Sequence, residues 1–241
     1  MKRKLAIALC LIGLLGICKE GIAGSVDNTS VPVGNEDGLL GPVVGSGSWE
    51  LETLVPPRAR VEKTGQTISY GPRDDGKLRK GVAWPVPRFM DNANGTVRDN
   101  LTGLTWLRNA NCSVFYAEDT ISYNGREWNS ALLAANNLKD GFCGLTDGSV
   151  AGNWRLPNKE ELESLVDYGF DSPAISNTAG TGKWTERDPF TNVQSSYYWS
   201  STADATFSDH AWRVSFSDGD MDSIFKTSPF GAMLHYVWPV R

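Results

Sequence analysis

The sequence predicts an α+β fold, and three observations carry that expectation: strand-like segments come first, two short amphipathic helices follow, and strands return to the end of the chain. A doubly wound sheet would need regular strand–helix alternation, which is absent. The 241 residues suffice for one large or two small domains, and 40% hydrophobic, 21% charged and 10% aromatic residues place most of them in the globular class.

The first element is a leader. Lys2, Arg3 and Lys4 precede an apolar run from Leu5 to Ile17, followed by Lys19 and Glu20, and Gly21 and Ala23 form a small-residue cleavage site. The expected signal peptide is 1–23. The apolar run is shorter than the roughly 20 residues a membrane helix needs, so no membrane span is expected. Cleavage would remove Cys10 and Cys18, leaving Cys112 and Cys143. It would also take Lys2, Arg3, Lys4, Lys19 and Glu20 from totals of 23 basic and 28 acidic residues, leaving 19 and 27, a formal charge of −8. No basic cluster opposes that charge, so nucleic acid is excluded as a partner.

Residues 24–55 are rich in Gly, Ser, Asn, Asp and Val without periodicity and are expected to form a flexible N-terminal arm; Gly45 to Ser48 lack the context of a phosphate loop. A domain over 56–241 follows, with its core at about 87–241. Residues 56–87 read as short extended pieces broken by Gly65, Gly71, Pro72, Gly76 and Gly81. Phe89 to Leu107 alternates around Asn94-Gly95 and Thr102-Gly103, the pattern of a hairpin or meander. Asp91, Asn94 and Asp99 do not meet calcium-loop spacing and are expected to serve the turn.

Trp128, Ala131, Leu132, Ala135 and Leu138 recur at helical steps, with Asn124 and Glu127 as a capping pair. A second helix follows Arg155-Leu156-Pro157, with Asn158 as cap, Glu161 answering it, and Leu162, Leu165 and Val166 as the buried stripe. After a Gly/Thr/Asn-rich passage, Ala211 to Phe216 alternates. Trp212, Val214 and Phe216 are expected on one face, before a turn at Asp218-Gly219; a last strand is expected at about 235–240.

Cys112 and Cys143 are expected to form a structural disulfide rather than a catalytic pair. His210 and His235 are too few for a multi-histidine metal centre. Asp218, Asp220 and Asp222 are the candidate for calcium, against the simpler reading of a solvated hairpin tip; otherwise no cofactor is expected. No G-x-S-x-G elbow is present. Most of the nine tryptophans are expected in the core, with one or two free to stack on sugars.

Several strings occur in a recognisable order: Asn94-Gly95-Thr96-Val97, Asp99 to Leu104 with Trp106, Trp154-Arg155-Leu156-Pro157-Asn158, Tyr198-Trp199-Ser200-Ser201-Thr202, Ala211-Trp212 and Tyr236 to Arg241. From about residue 63 onward the chain resembles the Lcl C-terminal domain family, named from bacterial collagen-like adhesins. The resemblance implies a C-type-lectin-like fold of the formylglycine-generating-enzyme subclass: two short helices, a small twisted antiparallel sheet and long loops. The paired C-terminal cysteines of those enzymes have no counterpart after Cys143. The family's best-known setting is surface adhesion with binding to sulfated polysaccharides. This chain has no collagen-like tract, and it lacks the Glu-Pro-Asn and Gln-Pro-Asp sugar motifs.

The functional expectation is an exported, non-catalytic, adhesin-like recognition module, secreted, periplasmic or attached to the cell surface. Its partner would be an extracellular glycan or a surface protein. Loops 203–210 and 218–230 supply the contact surface, with Phe207, His210, Phe225 and Phe230 as ligand-binding residues. The alternatives are a diverged enzyme of the same fold and a structural cell-envelope protein.

Overall fold

The computed structural model describes residues 61–116, 125–227 and 233–241. All belong to one compact unit, Pro57–Arg241. The expected signal peptide and arm, Asn124 and Phe230 lie outside the described residues. The fold is α+β, with two three-stranded antiparallel sheets where one had been expected. No helix among the described residues is long and apolar enough to cross a membrane.

The first element corrects the reading of 56–87 as short extended pieces broken at glycines and Pro72. Asp75–Leu78 forms a one-turn helix, α1, whose N-cap Asp74 accepts hydrogen bonds from the backbone N–H groups of Lys77 and Gly71. Its mid-helix Gly76 packs on the Ile68 carbonyl so closely that an added Cβ would lie 1.9 Å from the oxygen. Strands β1 (Phe89–Asp91), β2 (Thr96–Asp99) and β3 (Thr105–Leu107) form the predicted meander. Gly95 takes φ +83°, which only glycine tolerates readily, and its missing side chain admits the Gly144 backbone. Asp91 and Asn94 serve this turn by accepting from Ala93 N–H and Thr96 N–H.

A 3₁₀ turn, Ser113–Tyr116, precedes α2 (Trp128–Asn137), which buries Ala131 and Ala135. Glu127 is the N-cap itself and makes no side-chain cap, so the expected Asn124–Glu127 pairing does not stand: the helix starts one turn later than that pairing requires. In α3 (Lys159–Glu163) the expected capping box is complete. Asn158 Oδ1 accepts from Glu161 N–H, and Glu161 Oε2 accepts from Asn158 N–H, both at 2.8 Å.

The second sheet has the order β4 (Tyr197–Ala203), β5 (His210–Ser215), β6 (Met221–Phe225). Tyr198, Val214 and Phe216 are fully buried on one of its faces, whereas Trp212, expected to share their burial, is half-buried beneath Lys159. The expected terminal strand 235–240 is not a regular strand. His235 bridges to Arg126, Tyr236 to Tyr198, and Val240 to both Trp106 and Arg155, so the segment stitches several elements instead of extending one ladder.

Trp106, Trp154, Trp199 and Trp238 are wholly buried. Trp238 contacts Trp106, Phe190, Tyr198 and Phe216 at ring separations of 4.9–5.8 Å and donates its indole N–H to the Leu107 carbonyl. The aromatic core therefore joins the two sheets, because Trp106 belongs to β3 and Tyr198 to β4.

Candidate functional site

Asp204 shapes the β4–β5 loop. Its Oδ1 accepts from the N–H groups of Thr206 (2.7 Å) and Phe207 (3.2 Å), and its Oδ2 accepts from the Ser223 hydroxyl on β6. The Ser223 bond, then the Thr206 bond, holds the Asp204 carboxyl below the usual carboxylate range. His210 N–H donates to Phe207 O at 2.9 Å, and Asp204 N–H to His210 O at 3.0 Å. The loop is thus closed on its own backbone, with Phe207 at its exposed side.

Across β5 and β6, His210 pairs with Phe225, and their rings lie 4.1 Å apart; the Phe207 ring lies 5.2 Å from that of His210. Three of the four predicted ligand-binding residues, Phe207, His210 and Phe225, therefore form one aromatic platform. Phe207 is 56% and Phe225 37% exposed. The fourth, Phe230, lies outside the described residues. Asp209 accepts from His210 Nδ1 at 2.8 Å, the main reason its carboxyl is held low. Lys226 anchors the loop by donating Nζ–H to Ser208 O at 2.7 Å while lying over Trp128.

Within 218–230, expected as a loop, Met221–Phe225 forms strand β6: Asp222 pairs with Arg213 in the β5–β6 register and lies in the sheet. Arg213 donates Nε–H and Nη2–H to the two Asp222 oxygens (2.7 and 2.9 Å), stacks on Tyr197, and places Nη1 2.9 Å from His235 Nε2. Of the carboxylates in the calcium candidate, Asp222 is bound to Arg213, and Asp218 Oδ1 accepts from Asp220 N–H within the turn. Among the described residues no group of three or more His, Cys, Asp and Glu is arranged to hold a metal ion.

A buried ion pair and a buried carboxyl were not read from sequence. Arg88 and Asp99, both fully buried, form an ion pair at 3.6 Å. Asp167 lies beneath Gly65, where an added Cβ would meet its Oδ1 at 2.1 Å. Burial pushes the Asp167 carboxyl up to about 6, against the lowering effects of the Gly169 N–H bond and Arg88. Burial, then the Arg213 charge, pushes His235 down to about 4.

The two shifts have opposite consequences. The raised Asp167 value favours the folded state when the group is protonated, so its contribution is present below about pH 4 and lost as pH rises through 6. The depressed His235 value favours the neutral ring, a contribution present above about pH 6.5 and lost as pH falls through 4. Each spans about two pKa units, on the order of 3 kcal/mol, so they largely cancel between pH 4 and 6. Asp167→Asn should unmask the histidine: its stability relative to wild type is expected to fall by about 2–3 kcal/mol from pH 6.5 to 4 in denaturant unfolding. A pH-independent difference between the two proteins would refute this balance.

Cys112 and Cys143 are bonded, with Cα atoms 5.6 Å apart, as the sequence predicts. A groove of about 530 Å³ lies along α2, lined by apolar side chains that include Val114, Leu133 and Phe142 and by the polar Ser130, Asn137 and Lys139. Among the described residues its lining brings together no acid–base pair, and Phe207, His210 and Phe225 are not part of it.

Comparison with known proteins adds one relation. The Lcl C-terminal domain family matches residues 95–241. No curated protein and no solved structure matches the chain. The family match spans more than half of the chain and includes every strand from β2 onward, α2, α3 and the aromatic platform, and on that basis the protein belongs to the Lcl C-terminal domain family.

Proposed function

We propose that the protein is an exported, non-catalytic, adhesin-like recognition module that binds an extracellular glycan or a surface protein through the Phe207–His210–Phe225 platform. The carrying observation is the platform itself: three rings in series, partly exposed, on a loop fixed by Asp204 and Lys226. Such rings offer apolar area at little conformational cost, and the Asp209–His210 pair at their edge supplies hydrogen-bonding groups. The platform continues the face of β5 that carries Val214 and Phe216, so a rigid core holds it in place. Family membership supports the adhesin-like reading and the C-type-lectin-like fold of the formylglycine-generating-enzyme subclass. The leader-like 1–23 segment supports export to the periplasm, the cell surface or the medium.

The full chain should be screened against a glycan array and immobilised bacterial and host surface proteins, alongside Phe207→Ala/Phe225→Ala. The double variant is expected to lose at least tenfold in affinity for whatever the wild type binds, with its melting temperature little changed. Undiminished binding by this variant would refute the platform assignment.

A further inference from the structure

Strand β6 is an edge of the second sheet. Ser215 N–H donates to Asp220 O, and Lys226 N–H donates to Asp209 O, at the two ends of the β5–β6 ladder. These bonds fix its parity: the backbones of Asp220, Asp222, Ile224 and Lys226 face β5, and those of Met221, Ser223 and Phe225 face outward. Among the described residues nothing takes up those outward N–H and C=O groups. The opposite edge differs, since β4 is covered by Tyr236 and by the Pro157 carbonyl. Edge strands are commonly protected by proline, bulges or free charge. β6 has no proline, and its one charge, Asp222, is engaged by Arg213 within the sheet.

We propose that β6 pairs antiparallel with β6 of a second copy of this chain, about a twofold axis at Ser223. The register is self-complementary. Ser223 lies opposite Ser223, Met221 opposite Phe225, Asp222 opposite Ile224, and Asp220 opposite Lys226 of the second copy. The outward-facing residues then form the hydrogen-bonded pairs, giving about six bonds. The opposed apolar and oppositely charged pairs are of the kinds that stabilise sheets. Centring the axis on Asp222 would oppose two carboxylates, and centring it on Ile224 would leave Met221 outside the paired stretch. The Ser223 register uses the whole strand and joins the two sheets into one of six strands. Phe225 belongs to the aromatic platform, so pairing sets the platforms of two copies side by side, independently of what they bind.

Sedimentation of the full chain should show a dimer that dissociates on dilution. Asp220→Lys is expected to weaken it about tenfold by placing like charges across both ends of the junction, and adding Lys226→Asp should restore it. Under oxidised glutathione, Ser223→Cys should cross-link to its own copy, because directly opposed Cα atoms stand about 5.5 Å apart. Ile224→Cys, displaced from the axis, should remain at the background of the wild-type protein. Melting temperatures confirm that each variant is folded. A monomer at all concentrations, a dimer indifferent to the charge exchange, or equal cross-linking at positions 223 and 224 would each overturn the pairing.

Discussion

Asp99→Ala is expected to destabilise the protein by about 3–5 kcal/mol, the cost of leaving a buried charge without its partner. The Arg88 guanidinium is fully buried, lies 4.0 Å from the Trp84 ring and 4.8 Å from that of Phe89, and donates to the Ser164 carbonyl. Burial lowers its pKa, and Asp99 is the main influence that opposes the loss of its charge. Among the described residues its Nε and Nη1 find no hydrogen-bond partner, so Asp99 carries most of the compensation. The dependence is not symmetric. Without Arg88, Asp99 would still accept from Leu101 N–H at 2.9 Å and from the Thr102 hydroxyl at 3.0 Å. Arg88→Met, which keeps an unbranched apolar stem between the rings, should therefore cost about 1–2 kcal/mol less than Asp99→Ala. Denaturant unfolding at neutral pH with unchanged m-values measures both. An equal or larger loss for Arg88→Met would show that the carboxylate depends on the guanidinium.

Sequence reading succeeded where a few adjacent residues decide the outcome. The α3 capping box is complete within Asn158–Glu161, and the Asn94-Gly95 turn places a required positive φ on glycine. It failed where distant residues decide. Arg88 and Asp99 meet because Phe89 pairs with Asp99 across β1 and β2, a register that two isolated charges do not announce. Met221–Phe225 carries Asp222 and Ser223 and reads as polar loop; only the position of Arg213 opposite Asp222 makes it a strand. Residues 235–240 have strand composition, but their partners come from four different parts of the chain, and local alternation carries no trace of that.

The platform was legible in part for the same reason. Phe207, His210 and Phe225 stood out as bulky residues outside the structural motifs, and His210 and Phe225 lie at symmetric distances from the β5–β6 turn, so hairpin pairing alone brings them together. Asp204 was not legible. Its role depends on accepting from Thr206 and Phe207 locally and from Ser223 at a separation of 19 residues, and that last contact exists only once β6 has formed. The polar residue that fixes the loop was therefore hidden while the rings it presents were visible.

Replacing Cys112 or Cys143 with serine should remove about 3–4 kcal/mol of stability, because the bond closes a loop of 31 residues and the open chain regains that freedom when unfolded. For a unit of this size the melting temperature is expected to fall by on the order of 10 °C. The consequences should be regional. The loop encloses the 3₁₀ turn and α2, and Cys143 takes a left-handed φ of 54° beside Gly144, where the Leu145 N–H donates to the Phe142 carbonyl at 2.8 Å. Loss of the bond should therefore increase amide exchange first in 128–145. The platform loop is fixed by Asp204 and by the β5–β6 ladder, neither of which includes a cysteine, so ligand binding should survive at temperatures where the variant remains folded. Hydrogen exchange read by peptide mass in the wild type and in Cys112→Ser tests the separation: protection lost equally in 203–210 and 128–145 would show that the disulfide supports the whole unit rather than the α2 region alone.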